Sequence, residues 1–144
     1  MTNATDTLDH VYNAEGAHAI RESYEGWASD YDAENIGNGF RLPAIGAAFV
    51  ARHVRTGEGP ILDAGCGTGL VGEALAILGY ENIVGLDISP AMLKLAERLK
   101  TYDRLYEQDL GQHIPEADNS FSAVTCFGSL GPGHAPPDCL DEFI

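Results

Sequence analysis

Seven residues, Asp63-Ala64-Gly65-Cys66-Gly67-Thr68-Gly69, place an acid and three alternating glycines at the end of a short apolar run. Glycine admits left-handed backbone angles and lets a ligand approach the chain without meeting a Cβ. Residues 70–78 behind it read as a helix. The first amides of that helix are unpaired and carry partial positive charge. The turn is therefore built to hold a polar ligand, and the neighbouring residue types narrow which one. A phosphate-gripping loop needs Lys and Ser or Thr after its last glycine, and Leu70-Val71 stands there instead. A dinucleotide turn, G-x-G-x-x-G, is met by Gly67, Gly69 and Gly72, with Asp87 lying 20 residues past Gly67. That match starts late, because Ala64-Gly65 has already ended the strand. It also sets Asp63 against a pyrophosphate, which is unfavourable at short range.

Asp63 suits a ligand with positive centres. S-adenosylmethionine (SAM), a nucleoside with a cationic amino-acid tail, has them. The segment resembles motif I of the class I SAM-dependent methyltransferases, acid-x-G-x-G-x-G. This resemblance implies cofactor contacts from Asp63, Ala64, Gly65, Cys66, Gly67, Gly69 and Leu70. The run Val84-Gly85-Leu86-Asp87-Ile88-Ser89-Pro90-Ala91-Met92-Leu93 is similar to the next motif of that family. It implies that Asp87 receives both ribose hydroxyls and that Ile88 and Met92 pack on the adenine. The plain alternatives are a solvated turn acid for Asp87 and helix core for Met92. Glu107-Gln108-Asp109-Leu110 resembles the third acidic position, 22 residues past Asp87. Asp109 then takes the adenine amino group and the Leu110 backbone meets the ring, a plain turn carboxylate being the alternative.

Residues 118–128 resemble the segment that feeds the fourth strand. Cys126, Phe127 and Gly128 are thereby implied beside the methionine portion. Cys66 and Cys126 also fit as buried small hydrophobes, the usual state of a free cysteine. Tyr24-Glu25-Gly26-Trp27-Ala28-Ser29-Asp30-Tyr31-Asp32 resembles the N-terminal helix that lids the cofactor in many small-molecule methyltransferases. Tyr24, Trp27 and Tyr31 are its cofactor-facing candidates, and Tyr31 either reaches the SAM carboxylate or packs the lid. Methyl transfer needs a general base only when the nucleophile holds a proton of high pKa. His134, in the Gly- and Pro-rich loop after strand four, is the catalytic candidate; an exposed loop histidine is the plain alternative. At finer grain, that loop with Pro136-Pro137-Asp138 resembles the methyltransferases related to the Williams–Beuren syndrome region protein. No residue spacing suggests a metal site.

These residues need a scaffold. Residues 15–35 read as one or two helices with Ile20, Tyr24, Trp27 and Tyr31 on one face. Residues 42–55 read as another helix with Ile45, Ala48, Phe49 and Arg52 on one side. Strands then alternate with helices: 60–64, 82–86, 104–108 and 121–127 as strands, with helices at 70–78 and from Pro90 onward, and 140–144 as the first turn of another. Alternation with short turns predicts an α/β fold with a parallel sheet. The resemblance implies a Rossmann-like sheet of order 3-2-1-4, truncated before strands 5–7, with N-terminal lid helices. The expected organisation is a disordered tail over 1–14, a helical lid over 15–57 and a SAM-binding half-domain over 58–144.

Composition sets outer limits. The chain has 144 residues, three cysteines and a net charge of −14. Its eight basic residues are spread along the sequence. Clustered cations are what phosphate backbones require. The expectation is therefore no nucleic acid partner and a small-molecule acceptor. No apolar run is long enough for a membrane span, and the first residues lack a signal-peptide pattern, so the expectation is a cytoplasmic protein without membrane partners. An apolar fourth strand left at a sheet edge tends to pair with another chain, so homo-oligomerisation through that edge is expected.

Overall fold

Ile20, Tyr24, Trp27 and Tyr31 share one apolar face, and the chain divides it between α1 (Ala17–Trp27) and α2 (Tyr31–Gly37). In this computed structural model, residues 14, 16–131 and 134–144 are described. The expected tail over 1–14 lies outside them except for Ala14. A third helix, α3 (Leu42–His53), carries Pro43 in its first turn, where a missing amide costs nothing. The expected apolar side of α3 is turned to solvent. Ile45 is 50% and Phe49 62% exposed, while Gly46, Ala47 and Val50 are buried. Gly46 gives the reason: a Cβ there would collide with the Phe127 ring. The small-residue side packs inward because only it lets the helix approach that closely.

The four strands follow as expected, β2 shifted by one residue and the other three shorter. β1 (Ile61–Ala64) leads to α4 (Leu70–Ile77), β2 (Ile83–Asp87), α5 (Pro90–Leu99), β3 (Arg104–Glu107) and β4 (Ala123–Thr125). All pairings are parallel, and the sheet order is β3-β2-β1-β4. This is the Rossmann-like order 3-2-1-4. Both central strands are buried at every position, as parallel strands covered on both faces require. β4 pairs over only three residues. Phe121 and Phe127 stay outside its ladder and pack onto opposite core clusters.

Side chains alternate across the sheet. Ile61 and Ile83 join Ala47, Val50, Val71 and Leu75 in one core. Leu62, Ala64, Val84 and Leu86 join Leu110, Ile114 and Cys139 in the other. Burying each such aliphatic side chain is worth roughly 1.5–3 kcal/mol. Ser89 caps α5 by accepting the Met92 amide at 3.3 Å, a contact worth about 1 kcal/mol. The chain ends in a 3-10 helix, Pro137–Phe143, in place of an α-helical turn at 140–144. Its Cys139 amide donates to the Pro136 carbonyl, which tightens the turn and buries Cys139. Among the described residues, no helix is long and apolar enough to cross a membrane.

Candidate functional site

Three glycines of the β1–α4 turn are left-handed, with φ of +76° at Gly65, +54° at Gly67 and +99° at Gly69. Their surroundings differ. A Cβ at Gly65 would strike the Ser129 hydroxyl, whereas nothing lies within 4 Å of the corresponding point at Gly67. Gly69 abuts Leu99, Ala96 and Tyr102. One glycine therefore opens toward a ligand and the other two admit neighbours.

Asp87 fixes the open one. Its Oδ2 accepts the Gly67 amide at 2.8 Å and its Oδ1 the Ser89 amide at 2.9 Å. Burial pushes its pKa above the usual carboxylate value, against the amides of Ser89, Gly67 and Ile88, which favour the charge. Both carboxylate oxygens are thus placed at the carboxyl end of β2. In open parallel sheets, ligands bind beyond that end.

A cavity of about 710 Å³ opens there, a volume within the range of small-molecule sites. Gly65 and Gly67 form its floor, with Asp87, Ile88 and Met92 beside them. Asp109 and Leu110 close one side, and Phe127, Gly128 and His134 another. Tyr24 and Tyr31 cover it from α1 and α2. These expected residues, distant in sequence, line one space. Asp109 also shapes its own turn, its Oδ1 accepting the Gly111 amide at 2.8 Å.

Seven other expected residues do not line the described cavity. Trp27 is buried, with its indole N–H donating to Glu34 at 2.7 Å and its ring edge-on to Tyr31 at 4.7 Å. It props the lid. Asp63 is 1% exposed and receives the Tyr102 hydroxyl at 2.7 Å and the Thr125 hydroxyl at 2.9 Å. Burial, with Asp87 nearby, pushes its pKa up to about 6 despite those hydrogen bonds. Ala64 and Cys66 are buried, and burial raises the Cys66 thiol well above its usual value. Gly69 and Leu70 belong to the start of α4, and Cys126 packs against the core around Leu62.

Sequence reasoning missed part of the wall. Gln108 and Gln112 flank Asp109, and Ala135 and Pro136 follow His134. Adjacency to expected residues was the available signal. It also missed Tyr102, which carries no motif. The lid is tied down at three points. Arg21 reaches Glu107 at 2.6 Å, the Tyr24 hydroxyl lies 2.9 Å from His134 Nε2, and the Thr68 hydroxyl donates to Asp32. The first is half-exposed and worth at most about 1 kcal/mol. Gly72, third glycine of the dinucleotide match, does not face the cavity; a Cβ there would collide with the Tyr102 ring. Among the described residues, no group of three or more His, Cys, Asp or Glu is placed to hold a metal ion.

Comparison with known proteins gives a consistent picture. A family model described as a methyltransferase domain matches residues 61–144. Human methyltransferase-like protein 27 is 34% identical over 125 residues, 83% of this chain and 50% of its own length. The 18S rRNA (guanine-N(7))-methyltransferase of Bos taurus is 46% identical over 70 residues, 49% of this chain and 25% of its own length. The structure of a SAM-bound amino pentose methyltransferase from Micromonospora echinaspora superposes with a TM-score of 0.56 at 34% identity, covering 70% of this chain and 44% of that one. The chain therefore spans half or less of the length of these relatives. The rRNA relative overturns the exclusion of nucleic acid. Net charge is a whole-chain sum and says little about one face. Four of the eight cations, Lys94, Arg98, Lys100 and Arg104, in fact fall within eleven consecutive residues, on α5, at its C-cap and at the start of β3.

Proposed function

The chain belongs to the methyltransferase domain family, and from that membership we propose that it binds SAM in the cavity above β1 and β2 and directs its methyl group to a small-molecule acceptor. One observation carries the cofactor reading: Gly67 presents open space to the cavity while Asp87 holds its amide. A carboxylate has about four acceptor sites, so Asp87 keeps capacity for ligand hydroxyls after taking two amides. The donor set fits the cofactor. Asp87 and Asp109 accept hydrogen bonds, Ile88 and Met92 offer apolar surface, and among the described residues no Lys or Arg that would suit a pyrophosphate lines the cavity.

When bound, SAM supplies a methyl group on a positively charged sulfur. The protein's part is then to orient an acceptor, exclude water and, where needed, take up a proton. Tyr24, Tyr31 and the 127–129 segment enclose the space, and His134 Nε2 lies beside the Tyr24 hydroxyl at its margin. We assign His134 the role of proton acceptor for an O–H or N–H nucleophile. The SAM-bound amino pentose methyltransferase supports a small acceptor. A second reading, transfer to a guanine base of RNA, is favoured by the 46% identity to the bovine rRNA enzyme.

Calorimetric titration with S-adenosylhomocysteine (SAH), with NAD as control, tests the cofactor. SAH binding alone is expected; NAD binding alone would overturn the reading. Methyl transfer to a panel of small alcohols and amines, alongside a structured RNA, then tests the acceptor. Transfer to RNA alone would replace the first reading with the second.

A further inference from the structure

Tyr102 sits between α5 and β3, outside every expected motif, yet its ring fills a hole made by three glycines. A Cβ at Gly72 would collide with that ring. At Gly85 one would lie 2.8 Å from it, and at Gly69 3.2 Å. These glycines belong to the β1–α4 turn, α4 and β2. The hydroxyl at the tip of the ring completes a relay. It donates to Asp63 Oδ2 at 2.7 Å and accepts the Gly72 amide at 3.2 Å. Asp63 Oδ1 in turn receives the Thr125 hydroxyl from β4. One phenol thus joins the end of β1 to the first turn of α4, the two anchors between which the glycine turn hangs.

We infer that Tyr102 is a positioning residue for the cofactor: its hydroxyl, passed through the glycine-lined hole, pins Asp63 to the Gly72 amide and so sets the Gly65–Gly67 backbone against the cavity. The inference rests on the SAM reading of that cavity. It also explains the glycines that the ligand does not need. Gly72 and Gly85 are small because a tyrosine occupies their place. The phenol has no other donor role to play, since burial and the neighbouring Asp63 carboxylate hold its proton in place. The groups facing Asp63 are Tyr102, Thr125 and, through space, Asp87 and Cys66. Removing one hydroxyl therefore removes one of the two side-chain donors that a buried acid has among the described residues.

Tyr102→Phe keeps the ring and deletes the hydroxyl. Two readouts are taken on the whole chain, SAH affinity by calorimetry from pH 5 to 8 and hydrogen exchange of the Gly72 amide without ligand. SAH affinity is expected to fall about tenfold at pH 7, the size of one lost buried hydrogen bond to a charged group. The pH at which affinity changes should move upward, because Asp63 loses a donor that favours its charge. Gly72 exchange should accelerate. An Asp63→Asn background should abolish most of the Tyr102→Phe effect, whereas full additivity would overturn the relay. Unchanged Gly72 exchange would overturn the strut whether or not SAH binds. Failure of SAH to bind the unaltered protein would instead reject the cofactor reading, leaving exchange to judge the strut alone.

Discussion

The Asp87 carboxylate accepts the Gly67 amide at 2.8 Å across 20 residues of chain. The acid at the end of β2 thereby fixes the cavity-lining glycine of the β1–α4 turn whose side-chain position meets no neighbour. Asp87→Asn replaces one acceptor oxygen with a donor, and that donor faces either the Gly67 or the Ser89 amide. SAH affinity is expected to fall at least tenfold, the typical consequence of an orphaned buried donor. Calorimetry decides it; affinity within twofold of the unaltered protein would show that Asp87 neither shapes the turn nor meets the ligand.

Gly65 and Gly67 are both left-handed, but they resist substitution for different reasons. Gly67→Ala carries the left-handed cost of roughly 1–2 kcal/mol and meets no neighbour. Its methyl enters the cavity instead. Gly65→Ala carries the same cost and also strikes the Ser129 hydroxyl, which donates to the Gly65 carbonyl at 3.3 Å. Urea denaturation should rank Gly65→Ala as the less stable protein, while SAH titration of the folded protein should show binding lost in Gly67→Ala despite its smaller loss of stability. The reverse ranking would mean that the two glycines had been assigned each other's roles.

Much of this was legible in the sequence because the signals were local. Continuous burial wrote β1 and β2 as short apolar runs each carrying a single acid, Asp63 or Asp87, and Ser89-Pro90 marked a helix start by its own chemistry. The alternating glycines announced the turn. Three features were not legible, each because it depends on a distant partner. The inward side of α3 is set by Gly46 meeting Phe127, a contact 81 positions away in sequence. Asp63 reads as a ligand acid until Tyr102 and Thr125 are seen to occupy its oxygens. Gly72 fits a dinucleotide pattern only while the tyrosine that fills its place is unseen. The terminal 3-10 helix failed for a smaller reason, since two consecutive prolines start a tight turn that periodicity does not distinguish from α.

Burial raises the Asp63 pKa from 3.8 to about 6, which makes stability pH-dependent with a definite sign. The folded state holds the Asp63 proton more tightly than the unfolded chain. Between about pH 4 and pH 6 the folded state therefore binds more protons, so this residue's contribution falls as pH rises through that window and levels off above it. A shift of this size corresponds to roughly 3 kcal/mol. Asp63→Asn removes the titration. The variant should gain on the unaltered protein as pH climbs from 4 to 6.5, with a constant difference beyond. Urea midpoints at pH 4, 5, 6.5 and 8 measure this; parallel curves for the two proteins would place the charge somewhere other than the buried site.

His134 separates binding from chemistry. Its Nε2 lies 2.9 Å from the Tyr24 hydroxyl, and both line the cavity. A residue that accepts the proton of the nucleophile should leave the cofactor's own contacts intact. His134→Ala is therefore expected to bind SAH within about threefold of the unaltered protein, and to lose about 100-fold or more in methyl transfer, the lower range of a general base. Tyr24→Phe should lose less, because it orients the imidazole without taking the proton. The pattern has a sharp alternative. A nucleophile with no proton to lose needs no base, as when the acceptor is a ring nitrogen with a free lone pair. Methyl transfer that survives His134→Ala unchanged would move the acceptor into that class, and would end the assignment of His134 as the base.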